Sequence, residues 1–361
     1  MYNQLSVSTP GRICLFGEHQ DYLGLPVIAA AISRRVTIAG SPIQDQEIRI
    51  QLPDIQSSEQ FRLAVPFQYT KARDYYRSVL NVLHKEGLTF KGGFSCEVHG
   101  NIPINSGTSS SSALIASWIG FLAHFSEQRP NWSSKKIAEL AHKAEIEEFG
   151  EPGGMMDHYS TVIGDVIYLE SEPNIYVEKL SPTLGTFVLG DSLEPKDTIQ
   201  ILARVKYGML AIIDKIKQVD NTFSLHNTST ATIQDYRSIL TSDEFLLLEG
   251  NFSDRDILRE AKTLLSNSTT DHQQFGNLLN AHFENLRDAK QISTPKLNRM
   301  VDASLAAGAL GAKTNGSGGG GCMFAYAPEQ PEKVVEAIEK VGGKAYIISI
   351  ASGIETQENN A

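Results

Sequence analysis

The chain has 361 residues, with 32 Lys+Arg against 42 Asp+Glu, a formal net charge of −10 and 41% hydrophobic residues. At about 150 residues per domain, this length predicts two domains with cores large enough to need neither disulfide nor structural metal. An acidic chain without a long Lys/Arg run excludes a general nucleic-acid or anionic-membrane binder, while leaving room for a nucleotide at one local site.

Three cysteines, Cys14, Cys96 and Cys322, lie far apart. An odd, sparse count fits a reducing compartment. No CxxC or HxxxH spacing occurs, so no structural zinc site is expected. Met1-Tyr2-Asn3-Gln4 does not open like a basic leader, and no apolar run approaches the roughly 18 residues of a membrane span. These features predict a cytoplasmic protein with no membrane partner.

In chain order, Ile13–Phe16 and Val27–Ile32 read as buried strands around a polar insert, followed by strands at Val36–Ala39 and Ile48–Leu52. Tyr75, Val79, Leu80 and Leu83 give residues 72–86 a helical period, and Phe94–Val98 alternates as a strand. An apolar helix over 110–125, an amphipathic one over 134–149 and a third over 155–163 follow. Phe187–Asp191 reads as a strand where the chain changes character, which places a domain boundary there and predicts domains 1–187 and 188–361. The remainder is largely helical up to the glycines at 316–321. A strand (Met323–Ala327), a helix (331–341), a last strand (Ala345–Ile350) and a polar tail complete it. The expected class is α/β (α+β).

Three segments carry chemistry. In the first, Arg12, Glu18, His19 and Asp21 fall within ten residues between two apolar runs. Charges at the end of a buried strand need partners, and a polyol supplies them: carboxylates accept from hydroxyls, while Arg12 and His19 donate. A solvated loop has the same composition. The second is Pro103-Ile104-Asn105-Ser106-Gly107-Thr108-Ser109-Ser110-Ser111-Ser112-Ala113, immediately before the apolar helix. Small residues let backbone amides approach an anion, and a helix start adds free N–H groups and a positive dipole end. Serine hydroxyls there serve as caps or as Mg²⁺ ligands. No GxxxxGK[ST] pattern exists, so a phosphate site here is of another type. The third, Gly311 to Cys322, contains a GxGxxG match at Gly316–Gly321 that leads into a strand rather than a helix. That order excludes the dinucleotide fingerprint, and it leaves close packing or close approach of a ligand for Gly316, Gly318, Gly319 and Gly320.

Two acids join the set. Glu145 follows Ala141 by four residues and Ile137 by eight, so it falls on the apolar side of its helix, where a buried carboxylate calls for a metal or cation. Asp157, after Gly153-Gly154-Met155-Met156, is either a helix N-terminal cap or a general base.

Together these stretches resemble the GHMP kinase superfamily, and its galactokinase branch most closely. Pro10–Tyr22 is similar to the galactokinase signature PGRVNLIGEHTDY, and Pro103–Ala113 to the phosphate motif P-x-G-G-G-L-S-S-S-A. Ala144–His158 is similar to AENEFxGxxxGIMDQ, and Ala309–Cys322 to the third superfamily motif. The blocks occur in the expected order from residue 10 to 322. The resemblance implies two α/β domains with the active site in the cleft between them, and ATP- and Mg²⁺-dependent phosphorylation of the anomeric hydroxyl of a sugar.

By the same resemblance, Asp157 is the base and Arg12 its neighbour. Glu18, His19, Asp21 and Gly154 hold the sugar. Ser106, Gly107, Thr108 and Ser109 to Ser112 wrap the ATP phosphates, and Ser111 with Glu145 ligates Mg²⁺. Gln20, Leu23 and Leu25 depart from the signature, as do Asn105, Ser106 and Thr108 from the phosphate motif, and these departures bear on which sugar is used. A mevalonate-kinase-like or other small-alcohol kinase reading within the superfamily is opposed by Arg12, where mevalonate kinases place Lys, and by the Glu145–Asp157 spacing, which is close to the galactokinase pattern. A third reading is a sugar-binding regulator without activity, and the retention of Asp157, Arg12, Ser111 and Glu145 argues against it.

Overall fold

The computed structural model describes residues 4–104, 106–195 and 198–359; Asn105 lies outside the described residues. Among the described residues, two sheets, of eight and four strands, organise the chain. β1 (Gln4–Phe16) and β2 (Val27–Pro42) form the antiparallel centre of the larger sheet. β1 alternates in burial up to Ser8 and is then buried at every position from Thr9 to Phe16, where packed elements cover both its faces. The segments expected as separate strands at Val27–Ile32 and Val36–Ala39 are one continuous strand, β2.

β3 (Glu47–Leu52) and β4 (Ser57–Arg62) form a hairpin, and β5 (Phe94–Gly100) lies between β2 and β3, parallel to the latter. β6 (Val166–Glu170) pairs with β2, and β7 (Tyr176–Leu180) pairs with β6. Four helices belong to this half: α1 (Tyr75–Lys85), α2 (Ser110–Phe125), α3 (Ser134–His142) and α4 (Met156–Ile163). The helix expected over 134–149 stops being α-helical at His142 and continues as a π-turn over Lys143–Glu147. Such bulges shift the side chains beyond them around the helix axis.

The smaller sheet comprises β8 (Phe187–Asp191), β9 (Gly311–Thr314), β10 (Cys322–Tyr326) and β11 (Lys344–Ile348), all antiparallel in the order β11-β8-β10-β9. With it go α5 (Thr198–Lys217), α6 (Ser242–Leu265), α7 (His272–Glu284), α8 (Pro295–Ala306) and α9 (Pro331–Lys340). The expected polar tail is instead a strand, β12 (Glu355–Asn359), which returns to the larger sheet beside β1. Among the described residues, no helix is long and apolar enough to cross a membrane.

The halves are joined by a shared core in which Ile13, Phe16 and Ile28 meet Phe187, Phe275, Phe324 and Tyr326. Phe275 packs edge-on against both Phe16 and Tyr326, with ring centroids 5.8 and 5.0 Å apart. Each such ring contributes about 1.5–3 kcal/mol on burial. This clamp fixes the end of β1, and therefore the turn that follows Phe16, against the second sheet.

Candidate active site

Four element ends converge where the halves meet: the end of β1, the starts of α2 and α4, and the turn between β9 and β10. The β1 register slips between Pro10 and Arg12, and a bulge of this kind re-aims the side chain beyond it. Arg12 is buried and donates from Nε and Nη2 to Asp157 Oδ1, at 2.9 and 2.6 Å. Its Nη1 donates to the Gly107 carbonyl. Asp157 lies in the first turn of α4, but its carboxylate is taken by Arg12, and the residue at the cap position is Met155. Burial alone would raise the Asp157 carboxyl, but the charge of Arg12, that of His158 and the Arg12 hydrogen bond outweigh it and hold the group below its usual range. Asp157 keeps 34% of its side chain exposed, so an incoming hydroxyl can reach it.

The serine turn positions α2. Gly107 (φ 85°) and Ser109 (φ 61°) are both left-handed, and no side chain caps the helix. The first-turn amides of α2 are thus left to an anion. Ser109 Oγ is buried beside the Asp157 carboxylate, which it helps hold below its usual range, and its hydroxyl lies where a phosphate oxygen could also reach it. The cavity is lined by Ser106, Gly107 and Ser109 to Ser112. Ser106 and Thr108, expected at the phosphates, direct their hydroxyls to the Pro103 carbonyl and shape the turn. The glycine turn buttresses it: Asn315 Nδ2 donates to the Gly107 carbonyl at 2.8 Å, and Cys322 N to that of Ser106 at 2.7 Å. A Cβ on Gly316 would come within 2.8 Å of the Gly107 oxygen. Gly318, Gly319 and Gly320 all take positive φ in the same turn.

Glu145, on the π-turn, is buried. Its Oε2 accepts from Ser112 Oγ at 2.7 Å and contacts His158 Nε2 at 2.8 Å. Burial would raise this carboxyl, but the hydrogen bond and charge of His158, then Ser111 and Ser112, bring it below its usual range. An ionised carboxylate flanked by serine hydroxyls is a hard oxygen donor set of the kind Mg²⁺ takes beside phosphate oxygens. Among the described residues, no three His, Cys, Asp or Glu converge on one metal position. A Mg²⁺ ion here would therefore owe most of its shell to phosphate and water.

The polar insert forms the other wall. Asp21 accepts from Tyr22 N and Met156 N, at 2.9 and 3.2 Å, and burial raises its carboxyl. A Cβ on Gly154 would overlap Asp21 Oδ2, so that glycine is a condition of their contact. His19 has both ring nitrogens engaged inside the protein: Nε2 with the Ser317 carbonyl at 3.1 Å and Nδ1 with Tyr22 Oη at 2.6 Å. A carbonyl only accepts, so Nε2 carries the proton, and in the neutral ring Nδ1 accepts from Tyr22. His19 thereby ties the insert to the glycine turn. Glu18 is fully buried, and its Oε1 is paired with Lys313.

Behind Glu18 lies a group that sequence reasoning missed. Lys290 Nζ donates to the Glu18 carbonyl at 2.8 Å and pairs with Asp254 at 2.7 Å; Lys313 Nζ also holds the Cys14 carbonyl at 2.9 Å. Buried lysines are rare unless paired, and partners this far along the chain leave no mark in local sequence. Also missed was an apolar cavity of about 330 Å³ lined by Leu52, Ile55, Tyr75, Ile102, Ile104 and Leu114, which meets the serine turn at Ser110 and Ser111.

Residues 74–165 match the GHMP kinases N terminal domain, residues 261–344 the GHMP kinases C terminal domain, and residues 2–42 the galactokinase galactose-binding signature. The chain is 27% identical to the mevalonate kinase of Pyrococcus furiosus, over 97% of this chain and 98% of that protein. It is 26% identical to the galactokinase of Actinobacillus succinogenes, over 95% of this chain and 89% of that protein. The galactokinase-like resemblance drawn from the motifs is supported by the galactose-binding signature, whereas overall identity places mevalonate kinases and galactokinases at a similar level. The solved structure of Lactococcus lactis galactokinase complexed with galactose superposes with a TM-score of 0.84 at 21% identity, covering 98% of this chain and 95% of that one. The chain belongs to the GHMP kinase family, whose members are ATP-dependent phosphotransferases with alcohol acceptors.

Proposed function

We propose that the chain is a sugar kinase that transfers the γ-phosphoryl group of ATP to the anomeric hydroxyl of a monosaccharide, with Asp157 as the base. The observation that carries this reading is the Arg12–Asp157 pair, buried on the arginine side and open on the carboxylate side, between the polar insert and the serine turn. The acceptor oxygen attacks the γ-phosphorus, ADP leaves, and the hydroxyl proton passes to Asp157. A carboxylate held ionised by Arg12 is a weak base, which suits a loose phosphoryl transfer in which the proton moves late. Arg12 offsets the charge that develops between acceptor and phosphate.

In this reading Asp21, Gly154, His19 and Glu18 shape the acceptor side. Gly107, Ser109 and Ser110, with the first amides of α2, cradle the phosphates over the turn that Ser106 and Thr108 shape, and the apolar cavity beside Tyr75 takes the adenine. Ser111 and Glu145 would hold Mg²⁺. Bound there, Mg²⁺ would withdraw charge from the phosphate oxygens. The residue ranges 1–187 and 188–361 are the two lobes we assign to the cleft, with β8 of the second beginning at Phe187 and β12 returning to the sheet of the first.

A second reading, a mevalonate-kinase-like enzyme, is favoured by the similarity to the Pyrococcus furiosus mevalonate kinase along 97% of this chain. Release of ADP from Mg·ATP against galactose, glucose, arabinose, galacturonate, a heptose and mevalonate separates the two. Turnover of a sugar with phosphorus NMR placing phosphate on O1 supports the first reading, and turnover of mevalonate alone supports the second. Silence across the panel, with sugar binding still seen by calorimetry, sinks both.

A further inference from the structure

The apolar cavity and the serine-turn cavity share Arg73, Ser110 and Ser111 as lining, so Arg73 is the charged residue where the two meet. Its backbone is left-handed at φ 53°, a conformation that non-glycine residues hold only when the surroundings impose it. Asp74, fully buried, imposes it here by accepting from Thr70 N and Thr70 Oγ1 and from Arg77 Nη1, at distances from 2.9 to 3.1 Å. From that pinned turn, Arg73 reaches across the junction to Glu151. Nε bonds Oε1 at 2.6 Å and Nη2 bonds Oε2 at 2.7 Å, a parallel fork in which Glu151 is only 13% exposed.

Glu151 opens the turn Pro152-Gly153-Gly154. Gly154 lies against Asp21, and Asp21 accepts from Met156 N beside the base. One end of this short path therefore faces the route from the adenine cavity to the serine turn, and the other faces the acceptor. A guanidinium carries five N–H donors in one plane. The fork to Glu151 uses Nε and Nη2, which leaves Nη1 for a phosphate oxygen without breaking the pair.

We propose that the Arg73–Glu151 pair couples the two substrates: Arg73 binds the nucleotide phosphates while it holds the acceptor turn through Glu151. This rests on the kinase reading above. A phosphate that fixes the Arg73 guanidinium also fixes Glu151 and the acceptor turn, and an acceptor that fixes the turn fixes Arg73, so each tightens the other and the coupling is reciprocal. Arg73 and Glu151 are positioning residues with respect to the acceptor.

The test is calorimetry of Mg·AMPPNP on the full chain, with and without saturating galactose or whichever panel compound is turned over. In the wild type, the acceptor tightens the nucleotide by a factor between about 5 and 150. In Glu151→Gln the nucleotide alone binds within about threefold of wild type, but the tightening by acceptor disappears. Arg73→Lys keeps the charge and loses the fork; nucleotide binding weakens about tenfold and the coupling is lost. Arg73→Ala weakens it by about 10- to 100-fold. A purely structural pair predicts something else: both Glu151→Gln and Arg73→Lys would loosen both ligands alike and lower the unfolding midpoint. That result, or coupling retained in Glu151→Gln, overturns the proposal while leaving the kinase reading intact. A wild-type chain that binds no Mg·AMPPNP overturns both.

Discussion

Arg12 and Asp157 stand 145 positions apart, yet two guanidinium nitrogens close on a single carboxylate oxygen, with Nε at 2.9 Å and Nη2 at 2.6 Å from Oδ1. Both Arg12 bonds end on that oxygen, and Arg12 also holds the Gly107 carbonyl of the serine turn. One buried cation thus sets the distance between the proposed base and the proposed phosphate cradle. A shift of either wall against the other would have to break a charge-assisted bond worth about 1.5–3 kcal/mol.

If Asp157 takes the acceptor proton, Asp157→Asn removes the acceptor for that proton and keeps the shape. The expected loss in kcat is about 10²- to 10⁴-fold, with Mg·AMPPNP affinity unchanged by calorimetry. A variant with near-normal kcat takes Asp157 out of the chemistry.

The pH profile reports the same pair. Burial raises the Asp157 carboxyl, and Arg12 reverses that effect, so the wild-type acid limb of kcat/KM is expected below the usual carboxylate range. In Arg12→Met burial, the charge of His158 and the Ser109 hydrogen bond remain. The folded carboxyl then titrates higher, and activity falls away at a higher pH as the solution is acidified. An acid limb that stays in place in Arg12→Met would show that another group controls it.

Gly154→Ala tests the acceptor wall. The new Cβ would overlap Asp21 Oδ2, so Asp21 or the turn must move, and Met156 N loses its acceptor. Acceptor KM should rise about tenfold or more, the loss of roughly one polar contact, while ATP KM stays near wild type. Equal changes in both constants would mean general damage to the cleft.

Much of this site was legible before any coordinates, because its parts are local. The serine run, the apolar stretch behind it and the four-residue spacing of Ala141 and Glu145 each lie within a few turns of chain, and α2 spans Ser110–Phe125 as its apolar pattern predicts. What escaped was long-range or polar. β12 is exposed from Glu355 to Glu358 and has no apolar alternation to betray it; it is a strand because β1 offers an edge. β9 buries all four of its residues, Lys313 included, and falls in a stretch read as largely helical; Glu18 supplies the buried lysine's counter-charge from 295 positions away. The apolar cavity escaped for the same reason: Leu52, Tyr75, Ile102 and Leu114 come from four separate segments.

His142 offers a test in stability rather than activity. It ends α3, buried, with its ring edge-on to His158 at 5.2 Å and Nδ1 3.3 Å from Glu147. Burial, then the charge of His158, lowers it from 6.5 to about 4, against a smaller opposing pull from Glu145. A histidine lowered on folding stays neutral in the folded chain while the unfolded chain already takes up a proton. Its stabilising effect is therefore complete above pH 6.5 and declines as pH falls toward 4, by up to roughly 3 kcal/mol over the window. Urea midpoints measured across that range should fall more steeply for wild type than for His142→Asn. Parallel slopes for the two proteins would place the acid sensitivity of this half elsewhere.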